Sequence, residues 1–235
     1  MLLVSITGVA SRRLAASRAI LFAAATAPLG QDSSELFKLY EAPKYECAPL
    51  LAGQEPTSLD VFKARGDVHR DGDWHRSVHI WLIDEEDRMV LQRRSEHKDT
   101  HPGLLDVSCA GHITGDDSVL STAVRELEEE LGLSLSAEEI EAAWVCTLPS
   151  SASGATAKHG EFVCKEFQEI FIIDGWDGQL NPNAFGADEV AGVELVDAAK
   201  VLAAWDDDHP EYVPRPDHYR RVLGSALGFF PKGGW

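Results

Sequence analysis

Three carboxylates and an arginine lie close together near the middle of this 235-residue chain. Glu126, Glu129 and Glu130 are three or four residues apart, so a helix would place them together on one face. Arg125 lies one turn before Glu129, where it can orient that side chain. Grouped carboxylates repel one another unless a cation neutralises them, and such oxygen ligands suit Mg²⁺ or Mn²⁺. The spacing therefore predicts a divalent-metal site, whereas without a metal these residues would form a solvated acidic helix face.

The helix that carries these residues has ends that can be predicted. Asp116, Asp117 or Ser118 can cap its N-terminus, and Gly132 suits the position that follows a C-terminus near Leu131. Apolar residues at helical spacing are expected to face a core. These residues are Leu120, Ala123, Val124, Leu127 and Leu131.

The stretch from Gly111 to Leu133, GHITGDDSVLSTAVRELEEELGL, resembles the Nudix box, G-x5-E-x7-R-E-U-x-E-E-x-G-U, in which U is a bulky aliphatic residue. Every defining position matches except Asp117, which stands in place of the usual Glu and which Arg125 can also reach. The resemblance implies a pyrophosphohydrolase that cleaves a small-molecule diphosphate joined to another group. Bound Mg²⁺ or Mn²⁺ would lower the pKa of a water molecule and supply the attacking hydroxide. The resemblance assigns the metal to Glu126, Glu129 and Glu130.

A longer segment, from about Val68 to Phe171, is similar to type I isopentenyl-diphosphate isomerases and to the Nudix domain of plant multidomain hydrolases. This resemblance matches Arg94 and Lys98 to a basic pair that grips a diphosphate. Gly111 would let the backbone approach the metal or the phosphate. Cys164 stands where the isomerases have a second glutamate. The resemblance also implies a possible second metal site, formed by His69, His75, His112 and Glu166.

Two departures from the isomerases favour a hydrolase. Ala110 stands where the isomerases have the cysteine that moves a proton at carbon, and the adjacent Cys109 should point to the opposite face of a strand. The box also keeps Arg125, Glu126, Glu129 and Glu130 intact. The alternatives are an isopentenyl-diphosphate isomerase-like enzyme and a non-catalytic nucleotide-binding module. For the hydrolase, Glu126, Glu129 and Glu166 are all candidates for the general base.

Charge and composition restrict the partners. The formal net charge of −18 argues against a nucleic-acid polymer, which requires a basic surface. A small anionic diphosphate remains compatible, because a metal and a few basic residues can reverse the field inside one cleft. The apolar run at 19–29 is too short to span a membrane. The four cysteines lack a paired spacing and are expected to be reduced thiols, and the oligomeric state stays open.

The chain is expected to have four parts. Residues 1–31 contain three arginines and no Asp or Glu, which is typical of a mitochondrial or plastid transit peptide; the alternative is a cytoplasmic protein. Residues 32–60 are expected to be a linker and lead-in. Residues 61–228 would form the Nudix hydrolase domain, and residues 229–235 a C-terminal tail.

Strand-rich segments alternate with a few helices inside the domain. The predicted strands are 75–83, 88–93, 105–113, 142–148, 162–173 and 190–195. Helices are predicted at 197–205 and 217–227 in addition to the box helix, and 150–160 is predicted to be a polar loop. This order predicts an α/β (α+β) fold, a Nudix-type α/β/α sandwich with a mixed β-sheet.

Overall fold

A computed structural model describes residues 20–22, 34–156, 160–186 and 188–231, the first of these as backbone only. Its strands are β1 (Ile20–Phe22), β2 (Leu36–Tyr40), β3 (Ser58–Ala64), β4 (Trp74–Asp84), β5 (Arg88–Arg94), β6 (Leu105–Asp106), β7 (Cys109–His112), β8 (Trp144–Thr156), β9 (Gly160–Trp176) and β10 (Val190–Asp197). Its α-helices are α1 (Arg65–Asp71), α2 (Val119–Leu131), α3 (Ala137–Ala142), α4 (Ala198–Asp206) and α5 (Asp217–Ala226). A short 3₁₀ turn spans Pro182–Ala184.

Strand β4 lies at the centre of the sheet. It pairs antiparallel with β2, β5 and β7, and parallel with β9. The main path of the sheet runs β1-β10-β5-β4-β2-β3. This combination of parallel and antiparallel strands confirms the predicted mixed sheet, and the helices that flank it confirm the α/β class.

The two faces of the sheet bury separate apolar layers. Val78, Ile80 and Leu82 of β4 pack in one cluster with the apolar stripe of α2. Trp81 and Ile83 pack in the other cluster with α4 and α5. Successive side chains of a strand point to opposite faces, so β4 contributes to both layers. The core therefore fixes which side chains of β4 and β7 can face the box helix.

Most of the predicted elements are confirmed, two local predictions are wrong, and one helix was not predicted. The predicted strand at 105–113 is divided into β6 and β7, which pair with different neighbours. Residues 150–156 of the predicted loop instead continue β8 into a hairpin with β9, up to the pair Thr156↔Gly160, and 157–159 lie outside the described residues. Backbone hydrogen bonds form that arm although its side chains are small and polar. Helix α3 was missed, although Ser136 and Glu139 form a capping box at its start.

The segment expected to be a linker contributes to the sheet. Within 32–60, β2 pairs with both β3 and β4, and it buries Phe37 and Leu39. A strand of five residues gives too little alternation to be recognised in the sequence. The strand β2 therefore belongs with the domain that follows it.

Both chain ends lie partly outside the described residues. Residues 1–19 and 23–33 of the expected transit peptide and lead-in are outside them, whereas β1 pairs antiparallel with β10. In the C-terminal tail, Phe230 lies over Gly224 of α5, and residues 232–235 are outside the described part. None of the helices in the described ranges has the length and apolar content needed to span a membrane.

Candidate active site

Helix α2 begins and ends as predicted. The Ser118 side chain accepts a hydrogen bond from the Ser121 backbone, and the Ser121 side chain accepts one from the Ser118 backbone, which forms a capping box. At the other end, Gly132 has a φ of 65° and donates to the Glu128 carbonyl at 3.0 Å. Ala123, Leu127 and Leu131 are fully buried against the sheet. These contacts fix the direction in which the acidic face points.

Two of the three box carboxylates form a largely buried pair, in which the Glu126 side chain is 12% exposed. Glu130 is 3% exposed and accepts hydrogen bonds from Gln92 Nε2 at 2.9 Å and from the Ala110 backbone at 3.2 Å. Burial, followed by repulsion from Glu130, raises the pKa of Glu126 to about 7. Burial also raises the pKa of Glu130, against the attraction of Lys98. Ionising both carboxyl groups at once is unfavourable in this environment, and a bound cation would stabilise the two charged forms.

The Glu126 side chain occupies the space beside Gly111. A Cβ at position 111 would lie 2.1 Å from Glu126 Cδ and 2.2 Å from its Oε1. Such distances are far inside van der Waals contact, so only glycine allows the carboxylate to cross β7 here. Glycine is therefore needed at position 111 because the Glu126 carboxylate approaches the strand closely there.

Replacing Gly111 with alanine is expected to lower the free energy of unfolding by about 1–3 kcal/mol, because the new methyl group overpacks the site and displaces Glu126. Urea unfolding measures this change. In a Glu126→Ala background the same substitution should cost much less, and the difference gives the interaction energy of the pair. Equal costs in both backgrounds would show that Glu126 does not occupy this space.

Arg125 links the buried pair to the exposed third carboxylate. Its Nη1 lies 2.9 Å from Glu126 Oε1 and 3.0 Å from Glu129 Oε2. The Glu129 side chain is 60% exposed, so it lies at the rim. Of the two roles predicted for Arg125, its direct contacts support orientation of Glu129, whereas Asp117 accepts a hydrogen bond from Thr114 Oγ1 at 3.4 Å. The structure thus groups Glu126 with Glu130 and leaves Glu129 outside the buried pair.

The two predicted diphosphate-binding cations have different surroundings. Lys98 is buried and forms an ion pair with Glu189; burial lowers its pKa to about 8, although the charge of Glu130 raises it. Arg94 Nη1 lies 3.0 Å from Asp106 Oδ2, and its Nε donates to the Thr100 carbonyl at 3.0 Å. Lys98 is therefore a cation near the carboxylate pair, whereas Arg94 is already paired with an anion.

The predicted histidine residues and Glu166 form a second cluster. Glu166 Oε1 lies 3.1 Å from His112 Nε2 and 3.7 Å from His75 Nε2, and the thiol of Cys164 donates to it at 3.1 Å. Burial lowers the pKa of His69 to about 4 and that of His112 to about 3. Burial opposes the charge of Glu166, but contacts with His112 and His75 hold the pKa of that carboxyl well below its usual range. The structure brings together all four residues that the isomerase resemblance matched.

Comparison with protein-family models matches residues 73–216 to the NUDIX domain, which is more than half of the chain. The chain belongs to the NUDIX domain family. It is 36% identical over 160 residues to Nudix hydrolase 3 of Arabidopsis thaliana, covering 66% of this chain but 20% of that protein. It is 41% identical over 163 residues to an uncharacterized Nudix hydrolase of Clostridium acetobutylicum, covering 63% of this chain and 75% of that one.

Two further comparisons concern the isomerase branch and the fold. The chain is 32% identical over 105 residues to the isopentenyl-diphosphate Delta-isomerase of Serratia proteamaculans, covering 45% of this chain and 54% of that one. The crystal structure of DR0079 from Deinococcus radiodurans matches with a TM-score of 0.50 and 20% identity, covering 80% of this chain and 98% of that one. The predicted Nudix fold and the resemblance to both groups of proteins are confirmed.

The two faces of β7 separate the Nudix box from the position of the isomerase cysteine. Cys109 is fully buried on the α2 side, and burial, with the nearby charge of Glu130, raises the pKa of its thiol well above the usual value. Ala110 packs instead against the cluster that contains α4 and α5. The expectation that Cys109 points away from the face of Ala110 is confirmed. That face offers a methyl group where the isomerases have a thiol.

A buried anion stabilises the strand beside Lys98 and Arg94. Asp106 forms ion pairs with Arg94 and with Arg215, which arrives from the segment before α5. Burial opposes the charge on Asp106, but Arg215 and Arg94 outweigh it and hold the pKa of that carboxyl below its ordinary value. The Arg215 guanidinium also lies 5.0 Å from the ring of Tyr219. These ion pairs link the segment before α5 to strands β5 and β6.

Sequence reasoning missed several residues that support the site. Gln92 shares a face of β5 with Val90 of the α2 cluster, and a polar residue at such a position was a usable indication of a buried contact. Asp106, an acidic residue within an apolar extended segment, was a second indication of a buried polar contact. Glu189 carried no such indication, because its pairing with Lys98 joins two loops that are remote in the chain.

Proposed function

We propose that this protein hydrolyses a diphosphate linkage in a small molecule, such as a nucleoside diphosphate linked to a further group, with Mg²⁺ or Mn²⁺ as cofactor. The observation that carries the proposal is the buried pair of Glu126 and Glu130 on the Nudix helix, with raised pKa values and a cation nearby. Metal-dependent hydrolysis of a diphosphate needs such clustered oxygen ligands.

The side chains present fit a hard divalent cation. Glu126 and Glu130 supply carboxylate oxygens, and burial raises the pKa of each although Arg125 and Lys98 lie nearby, so a bound cation would stabilise their charged forms. When bound, the metal would neutralise this charge, polarise the phosphate and lower the pKa of a water molecule. Glu129, at the rim, can add a further oxygen from the solvent side.

The other residues of the chain have separate proposed roles. Arg125 orients Glu126 and Glu129 through its two contacts. Lys98 would attract the phosphate oxygens as a point charge, and Arg94 would assist once the substrate competes with its present partner. Glu126 and Glu129 are the candidates for the general base on this helix, because both carboxylates contact Arg125 beside the proposed metal position. Glu166, the other buried candidate, belongs to the histidine cluster.

The isomerase alternative is weaker for a structural reason. Proton transfer at carbon requires a titratable group at the position of Ala110, and the neighbouring thiol of Cys109 lies on the opposite face of β7. A non-catalytic binding module is also less favoured, because the chain keeps Arg125 and the complete carboxylate set. The match to the plant Nudix hydrolase spans a fifth of that protein, so the activity proposed here concerns the Nudix domain.

A hydrolysis screen on the purified chain, with the products separated by chromatography, tests the proposal. The substrates would be nucleoside triphosphates, ADP-ribose, dinucleotides, NADH and isopentenyl diphosphate, each with Mg²⁺, with Mn²⁺ and with chelator. Metal-dependent turnover of one class is the expected result. Incorporation of deuterium into isopentenyl diphosphate without any phosphate release would instead identify an isomerase, and tight nucleotide binding without turnover would identify a binding module.

Metal affinity should depend on pH. Because Mg²⁺ competes with the proton on Glu126, its apparent affinity is expected to rise about tenfold per pH unit up to about pH 7 and then to level off. Without metal, the same raised pKa makes the free energy of unfolding fall as the pH rises from 4.5 to about 7, because the folded state binds the proton more tightly. Calorimetric titration at pH 6 and pH 8 measures the first effect. Equal affinities at both values would contradict it.

We also propose that residues 1–31 direct the protein to a mitochondrion or plastid, on the basis of their three arginines and the absence of acidic residues. Fusion of these residues to a fluorescent protein should give organelle fluorescence. A diffuse cytoplasmic signal would support the cytoplasmic alternative.

A further inference from the structure

One of the three box carboxylates is held by the sheet rather than by Arg125. Glu130 Oε2 accepts a hydrogen bond from Gln92 Nε2 at 2.9 Å and a second one from the Ala110 backbone at 3.2 Å. Both Gln92 and Glu130 are only 3% exposed, so water does not compete for these contacts. The protein itself therefore fixes the orientation of this carboxylate.

The two donors come from strands that separate beside the box helix. Gln92 lies on β5, which pairs with β6 and β10, and Ala110 lies on β7, which pairs with β4. Within the described residues, β4 and β5 pair with each other at Ile83↔Met89, near the turn that joins them. The Glu130 carboxylate therefore lies in the opening between two parts of the sheet and is bound to both.

All the donors to Glu130 are uncharged. In addition to the Gln92 amide and the Ala110 backbone, the buried thiol of Cys109 is a third donor. An ionised carboxylate has about four acceptor positions, so three donors leave one for a metal ion. Because none of the three donors carries a charge, they fix the carboxylate without neutralising it, and its negative charge remains available to a cation.

The other two box carboxylates are held by a cation instead. Glu126 Oε1 lies 2.9 Å from Arg125 Nη1, and Glu129 Oε2 lies 3.0 Å from the same atom. A metal ion that binds Glu126 or Glu129 therefore competes with the arginine for the carboxylate charge. No such competition arises from an amide, so Glu130 is the box carboxylate best prepared to receive a metal.

We propose that Gln92 is a positioning residue for the metal of the Nudix box, because its amide holds Glu130 in the orientation in which that carboxylate binds Mg²⁺ or Mn²⁺. This inference rests on the proposed function, which assigns the metal to Glu126 and Glu130. Groups that hydrogen-bond a metal ligand typically contribute about 10–100-fold to metal affinity, because they fix the direction of the ligand. Gln92 acts through Glu130 and does not itself bind the metal.

A purely structural role for Gln92 makes a different prediction. If its amide only satisfied a buried carboxylate, the loss of the amide would lower the free energy of unfolding and leave metal affinity unchanged. A positioning role requires that metal affinity falls as well. The affinity of the folded protein for metal therefore separates the two roles.

Titration of the full chain with Mn²⁺ tests the proposal without any substrate, with free Mn²⁺ measured by electron paramagnetic resonance. Gln92→Met keeps the length of the side chain and removes the donor, and we expect it to weaken Mn²⁺ binding by about tenfold or more. Thr147→Val is a matched control, because Thr147 Oγ1 donates to another buried carboxylate, that of Glu169, at 2.8 Å. This control should leave the Mn²⁺ affinity unchanged.

A double-mutant cycle shows whether Gln92 acts through Glu130. Glu130→Gln alone should weaken Mn²⁺ binding, and in that background Gln92→Met should change the affinity by less than about twofold, because the carboxylate that it positions is already lost. A full further loss in the Glu130→Gln background would show that Gln92 acts on another group, and it would overturn the proposal.

A second variant keeps the test decisive if Gln92→Met fails to fold. Gln92→Asn retains the amide but shortens the side chain by one methylene, which withdraws the donor from Glu130, so a smaller loss of Mn²⁺ affinity is expected. Unchanged affinity in the Gln92 variant that folds, with a loss in Glu130→Gln, would overturn the positioning role alone. Unchanged affinity in Glu130→Gln would overturn the proposed metal site as well.

Discussion

Replacing Glu126 with glutamine is expected to lower the rate of metal-dependent diphosphate hydrolysis by about a thousandfold or more. The substitution keeps the size of the side chain but removes the charge that the metal requires, and several kcal/mol of transition-state stabilisation correspond to such a factor. It also removes one candidate for the general base. Initial rates of product formation at saturating metal would measure the loss.

The same helix provides a matched control. Glu128 lies two residues after Glu126 and is exposed, so Glu128→Gln makes the same chemical change outside the buried pair. We expect Glu128→Gln to retain nearly full activity. Without metal, Glu126→Gln should also be at least as stable as the original protein, because it removes a buried charge whose pKa is raised. A Glu126→Gln variant with full activity would exclude the proposed carboxylate site.

Replacing Asp106 with asparagine is expected to lower the free energy of unfolding by about 3–5 kcal/mol. The change leaves Arg94 and Arg215, whose side chains are 14% and 10% exposed, with no compensating charge from this position. Because the pKa of Asp106 is depressed, its contribution is complete above the ordinary value of 3.8 and is lost as the pH falls below it. Chemical unfolding at pH 7 and at lower pH measures both effects.

Asp177→Asn makes the same change at an exposed position and should alter stability by no more than about 0.5 kcal/mol. If Asp106→Asn changed stability as little, solvent or other residues would compensate the charges of the two arginines, and the ion pairs with Asp106 would not stabilise this segment.

Because Asp106 also neutralises Arg94, the variant should free that guanidinium. Any remaining activity would then show a lower KM for an anionic substrate.

Residues that act within a few positions of one another were predicted well. The bounds of α2, the Ser118 cap, the Gly132 terminus and the contact of Arg125 with Glu129 depend on hydrogen bonds and spacings inside one helix. The positions of β4, β5, β9 and β10 followed from runs of strand-forming residues. These features can be predicted because the residues that form them are close together in the sequence.

Features that depend on remote partners were not predicted. The hairpin arm at 150–156 consists of small and polar residues, and its strand exists because β9 supplies the facing hydrogen bonds. The strand β2 was missed because its apolar residues are buried by elements that come later in the chain. In both cases the burial or pairing of a short segment depends on tertiary contacts.

For this protein, the sequence by itself determined the Nudix family, the box helix and its carboxylates, because those depend on residue types at fixed short spacings. The tertiary structure alone decided which carboxylates share a buried site. It placed Glu126 and Glu130 against β7 and left Glu129 in solvent, although the three have similar helical spacing. It also placed the Cys164 thiol beside Glu166 in the histidine cluster. Burial and the distance between donors depend on how the sheet packs against its helices, and no local spacing encodes them.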